Sequence, residues 1–135
     1  MHTFPLARPA WLISMALVSS MICHEPVHAA DADIAAGKRS FAKCAECHAV
    51  GPSARGAFGP QLNGILGRPS ASTSDFKYSP AMMNAKIIWS EPKLRAFIKS
   101  PDDVVPGTKM RFWGLSNEQE ISNLIAYLGT FAQTR

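Results

Sequence analysis

Residues 44–48 read Cys44-Ala45-Glu46-Cys47-His48, and this pentapeptide decides how the rest of the chain is read. Two cysteines separated by two residues, on a turn emerging from a helix, place both sulfurs on one side. The histidine that follows projects its imidazole toward the same space. Each thiol can add to one vinyl group of a porphyrin while the imidazole reaches the iron, so five consecutive residues supply both attachment and axial ligation. Haem is therefore the expected cofactor. A disulfide between Cys44 and Cys47 would close too short a ring to constrain the unfolded chain much, and it would leave His48 without a role. A thioredoxin-type site needs its cysteines at the start of a helix in an alternating strand and helix pattern, and here turns follow instead. Zinc wants four ligands, more than this cluster offers.

The N-terminal end explains why the cluster stands alone. Residues 1–29 show a weakly basic start with Arg8, an apolar run over 11–22, and a polar stretch closing on Val27-His28-Ala29. This is the layout of a secretory signal peptide, with cleavage expected after Ala29. The apolar run is about 12 residues, against the roughly 20 needed to span a bilayer. Cys23 is preceded by Ile22, a poor fit to the small residue a lipoprotein site requires. Cleavage would remove Cys23, His2, His24 and His28, leaving two cysteines and one histidine, all inside the pentapeptide. Export also suits covalent haem attachment, which is expected outside the bacterial cytoplasm.

The 135-residue chain has room for one core, so the domain is expected over residues 30–135. Its net charge of +4 is a mild excess that can steer docking. The basic residues are scattered singly, without the clustering that tracks phosphates, so nucleic acid is not an expected partner.

Helical spacing of Ile34, Gly37, Phe41 and Ala45 predicts a first helix from Asp33 to about Ala45, capped by Asp31 or Asp33. Over 50–79 the glycines and prolines predict consecutive turns without strand alternation. A loop that long fits a small domain when a bound group supplies the core it covers. Ser90 should open a second helix with Pro92 in its first turn and Leu94, Phe97 and Ile98 on its apolar face, ending before Pro101. Ser116 and Gln119 read as a capping box for a last helix built on Ile121, Leu124, Ile125 and Leu128. The architecture expected is all-α: three main helices and wrapping loops around one covalent haem.

A sixth iron ligand separates electron carriers from haem enzymes. With one histidine in the mature chain, the candidates are Met82, Met83, Met110 and lysines. Met110 follows the turn Pro106-Gly107-Thr108-Lys109, which can present a thioether inward; on spacing alone, core packing serves it nearly as well.

Taken in order, the motifs Gly37-Lys38-Arg39 with Phe41, the pentapeptide, Gly59-Pro60-Gln61-Leu62, Gly64 with Leu66-Gly67-Arg68, Ile88-Trp89, Pro106-Gly107-Thr108-Lys109-Met110 and Leu124-Ile125-Ala126-Tyr127-Leu128 resemble the class I cytochrome c family. The likeness is to its mitochondrial cytochrome c and bacterial cytochrome c2 branch, and it covers roughly residues 33–131. The resemblance implies the cytochrome c fold, with haem c held through Cys44 and Cys47, His48 as proximal ligand and Met110 as distal ligand. It further implies that Pro60 orients His48 through its carbonyl, that Tyr78 and Trp89 hydrogen-bond the haem propionates, and that Arg68 is their compensating cation. Gly37 and Phe41 should meet Leu124 and Tyr127 where the first and last helices cross. Three departures stand out: Phe97 where the family often has tyrosine, Met82 where a polar residue is common, and Asp102-Asp103 where mitochondrial members carry lysines. Lys43 and Lys109 remain near the expected exposed haem edge.

The function implied is that of a soluble, monomeric, periplasmic carrier of single electrons between redox protein partners, not an enzyme. The rivals are a haem enzyme or sensor with a vacatable distal position, and a membrane-tethered carrier that retains its N-terminal segment.

Overall fold

The structure is a computed structural model, and it describes residues 31–131. The expected signal segment and its cleavage point lie outside the described residues. Five helices follow one another: α1 (Ile34–Phe41), α2 (Pro80–Asn84), α3 (Glu91–Lys99), α4 (Pro101–Val104) and α5 (Glu118–Gly129). Among the described residues, pairing of extended chain is limited to one antiparallel bridge, between Pro69 and Ile88.

Helix α1 starts where Asp33 accepts a hydrogen bond from the Ala36 N–H, satisfying one of the free donors of the first turn. It ends earlier than its spacing predicts. Beyond Phe41 the bonds mix three- and four-residue steps, with Lys43 N–H to Ser40 and His48 N–H to Cys44, so Cys44 and Cys47 sit on turns and not on regular helix. Helix α5 is capped by Asn117, whose side chain accepts from the Glu120 N–H; Ser116, the expected cap, lies one residue outside. Helix α3 starts at Glu91 with Pro92 in its first turn, as its sequence predicts. Ser100 breaks the helical path at φ −152°, because Pro101 bars the preceding residue from the α region, and Pro101 then opens the short α4. The other short helix, α2, was not expected: Ser79 caps it through the Met82 N–H, and Pro80 provides its fixed φ at the first turn.

The α1–α5 crossing is the principal helix contact. Gly37 makes it possible, since a β-carbon there would stand 2.0 Å from the Asn123 carbonyl oxygen and 2.8 Å from the Tyr127 Cβ. Asn123 also receives the Asp33 N–H on its side-chain oxygen, tying the start of α1 to the middle of α5. The expected Gly37 contact thus falls on Asn123 and Tyr127, while Leu124 turns into the core. Phe41 meets Tyr127 with ring centroids 5.6 Å apart. Ile121 and Leu124 are almost wholly buried, and each stabilises the fold by about 1.5–3 kcal/mol through lost contact with water.

The turns of 50–79 are fastened at several points. Gly51 and Asn63 exchange two hydrogen bonds, Leu62 N–H reaches the Ala49 carbonyl, and Trp89 N–H reaches Arg68. These contacts fold the loop over a cavity facing α3 and α5.

Candidate functional site

The cavity has a volume of about 420 Å³ and is lined by Cys44, Cys47, His48, Pro60, Arg68, Tyr78, Trp89 and Met110 among others. All eight residues singled out in the sequence therefore come together around one space, drawn from the turns after α1, the 50–79 loop, the approach to α3 and the strap before α5. The volume falls within the roughly 300–1,000 Å³ of cofactor sites. Leu94, Phe97, Ile98, Leu124 and Leu128 give the lining its apolar part.

His48 is held in one orientation. Its Nδ1 lies 2.8 Å from the Pro60 carbonyl oxygen. A carbonyl can only accept, so Nδ1 carries the proton and Nε2 keeps a lone pair. Gly59 packs against the ring: a β-carbon there would lie 2.5 Å from Cε1. The Gly59 N–H in turn bonds the Cys47 carbonyl, fixing the loop to the pentapeptide. Burial lowers the His48 pKa, the Arg68 charge lowers it further, and the Pro60 hydrogen bond pulls the other way, so the ring is held neutral, as a metal ligand must be. Burial likewise pushes the Cys44 thiol above its usual range. Cys44 and Cys47 are not paired in a disulfide, so both sulfurs are available for thioether bonds.

Arg68 donates to the Asn63 carbonyl at 2.8 Å and the Gln61 carbonyl at 2.9 Å. It binds the loop segment that presents Pro60, and burial lowers its pKa without bringing so strong a base near neutrality. The Tyr78 hydroxyl shares a hydrogen bond with Thr73 at 2.7 Å, and Trp89 is buried with its ring centroid 4.9 Å from that of Phe97. Two further polar residues line the cavity without having been singled out: Ser79 and Thr108, both buried. Each hydroxyl oxygen accepts a backbone N–H, from Met82 and Met110 respectively, which leaves its proton for a group inside the cavity. Ser79 was legible as a cap before Pro80; Thr108 lay inside the Pro106–Met110 motif, with no role of its own assigned to it.

The donor set fits an iron porphyrin. Two thiols, one neutral imidazole with a free nitrogen and a thioether surround an otherwise apolar space with a few buried polar groups. Met82 also lines the cavity, whereas Met83 is exposed and contributes nothing to it. Lys43 and Lys109 reach the lining as well, with the Lys43 ammonium 2.6 Å from the Glu120 carboxylate.

Comparison with known proteins gives a consistent result. The family model described as Cytochrome c matches residues 34–132. Cytochrome c-550 of Bradyrhizobium diazoefficiens is 47% identical over 97 residues, covering 72% of this chain and 71% of that protein. Cytochrome c2 of Blastochloris viridis is 45% identical over 103 residues, covering 76% and 81%. Among solved structures, cytochrome cH from Methylobacterium extorquens superposes with a TM-score of 0.68 at 33% identity, covering 73% of this chain and 98% of that one.

Proposed function

Because this chain belongs to the cytochrome c family, matched over residues 34–132, we propose how its own residues serve the single-electron transfer that defines it. The protein is a monohaem electron carrier, not an enzyme, and its haem c is covalently attached through the Cys44-Ala45-Glu46-Cys47-His48 motif. The haem supplies an iron that gains and loses one electron.

His48 would hold that iron through Nε2, and Met110 would offer its thioether sulfur as a second ligand. The Pro60 carbonyl orients the imidazole and raises its basicity by accepting a hydrogen bond from Nδ1–H, so the ring would be held as a ligand in one fixed orientation. A methionine ligand favours the reduced state and a comparatively high potential. Arg68, Tyr78 and Trp89 would stabilise the propionates, which would be costly to bury without such partners. Phe97, Leu94 and Ile98 give the cavity a buried apolar wall that would keep water from the iron, so little solvent would rearrange when charge changes. The observation that carries this reading is the convergence of Cys44, Cys47, His48 and Met110 on one cavity, with the His48 tautomer set by Pro60.

The protein hands electrons between redox partners. We place it in the periplasm as a monomer, released from residues 1–29 by cleavage after Ala29. No helix among the described residues is long and apolar enough to cross a membrane. The test is a redox titration of purified holoprotein with ferric absorbance spectra at neutral pH. A reversible one-electron wave together with the weak far-red band of methionine-ligated ferric haem is expected. Absence of that band would replace Met110 ligation with an open distal position.

A further inference from the structure

Trp113 is completely exposed, at 102% of its reference area, in a domain whose other described tryptophan, Trp89, is 5% exposed. A large aromatic left in water gains nothing for the fold, and its area is the kind that binding recovers. Nor does it sit on a loose loop. One residue before it, Phe112 is half-buried and lines the cavity. One residue after it, Gly114 presses on α3 at φ +90°, where a β-carbon would lie 2.0 Å from the Lys99 carbonyl oxygen. Leu115 then bonds the Ile98 carbonyl through its N–H. The strap is therefore pinned on both sides of Trp113, and the indole is presented outward on a fixed backbone that loses little freedom when it is covered.

Its surroundings indicate what covers it. Lys109 and Arg111, on the same strap, are exposed and line the cavity mouth. Among the described residues neither has a carboxylate within ion-pair distance, in contrast to Lys43, Arg95 and Lys99, which all do. The strap thus offers an aromatic anchor flanked by two free cations, directly beside the residue that supplies the thioether.

We propose that Trp113 is the docking anchor of this carrier, seating in an apolar recess bordered by carboxylates on an acidic electron-transfer protein and so fixing the partner at the cavity mouth. The inference rests on the electron-carrier reading and adds a partner-recognising residue to it. Lys109 and Arg111 steer the encounter, while Trp113 holds it, as expected when charge sets association and a buried aromatic sets residence.

The test uses ferric holoprotein, wild type and Trp113→Ala, reduced in stopped flow by two donors. One is flavodoxin semiquinone, an acidic protein with an exposed flavin edge; the other is free reduced flavin mononucleotide, which has no protein surface. The variant should lose about tenfold in second-order rate with flavodoxin and stay within about twofold with the free flavin. Trp113→Phe should recover most of the loss. Equal flavodoxin rates for wild type and Trp113→Ala would overturn the proposal, and so would a parallel loss with both donors, which would mean that the residue acts through the haem pocket. Failure of the free flavin to reduce the wild-type protein would instead overturn the carrier reading itself.

Discussion

Gly59 lies so close beneath His48 that a β-carbon on it would stand 2.5 Å from Cε1 and 2.8 Å from Nδ1. The imidazole is thereby clamped between the loop backbone and the Pro60 carbonyl, 2.8 Å away. Gly59→Ala should tilt the ring and break the Nδ1 bond. Overpacking of this kind costs about 1–3 kcal/mol, to be read from denaturant unfolding of the holoprotein. Because the ring is the proposed iron ligand, the ferric spectrum should also shift, which a packing defect elsewhere would not produce.

Gly37 is a harsher case. Its added β-carbon would meet backbone, the Asn123 carbonyl at 2.0 Å, so the helices themselves must separate. Alanine gains about 1 kcal/mol over glycine in helix propensity, but the displacement should cost about 3 kcal/mol. Gly37→Ala is expected to lower the unfolding midpoint while leaving the absorption spectrum of the surviving holoprotein unchanged.

Arg68 separates two roles. Its hydrogen bonds to Gln61 and Asn63 hold the loop, and its charge bears on the cavity. Arg68→Ala should cost about 3–6 kcal/mol, since it removes two hydrogen bonds from a charged donor, each worth about 1.5–3 kcal/mol. It should also lower the reduction potential, because removing a cation favours the ferric state. Arg68→Lys keeps the charge without the planar fork, so stability should fall while the potential stays near wild type. A potential that follows stability in both variants would count against a charge role.

The sequence carried the site further than the fold. The pentapeptide can be read from haem chemistry alone, whereas Pro60 and Met110 take their roles from the resemblance to the family, and Cys44, Cys47, His48, Pro60 and Met110 all line one cavity. Helix ends were harder to read. Asn117 displaced Ser116 as the cap of α5, since both residues can cap and only the path of the strap selects one. The short α2 hid among the turns because five residues show no periodicity, leaving Ser79-Pro80 as its single mark. Gly37 was seen as a crossing point, but its true neighbour is the Asn123 backbone, and backbone contacts leave no pattern in side-chain hydrophobicity.

The surface ion pairs predict an acid-side loss of stability. Lys99, hydrogen-bonded to Glu118, and then Arg95 hold its carboxyl below the usual glutamate range; Lys43 does the same for Glu120. A carboxylate whose folded pKa is depressed contributes stability that is present above its unfolded pKa and disappears as pH falls through the folded value. Urea midpoints should therefore decline as pH drops below the ordinary carboxylate range. Glu118→Gln should flatten that decline, and added salt should reduce the difference, since these groups are exposed and screened.

Met110 and Met82 both line the cavity, so ligation can be assigned by exchanging one at a time. Met110 sits on the strap, with its N–H bonded to the buried Thr108 hydroxyl, which restricts where its side chain can reach. Met82 belongs to α2, anchored through Ser79. Met110→Ala should abolish the far-red ferric band and lower the potential on the order of 0.1–0.3 V, within the ~0.8 V range that axial ligands cover. It should also let added imidazole bind the ferric iron without competing sulfur. Met82→Leu preserves volume and should cost under about 1.5 kcal/mol while keeping both band and potential. The opposite pattern, with the band lost in Met82→Leu and kept in Met110→Ala, would move the distal ligand from the strap to α2.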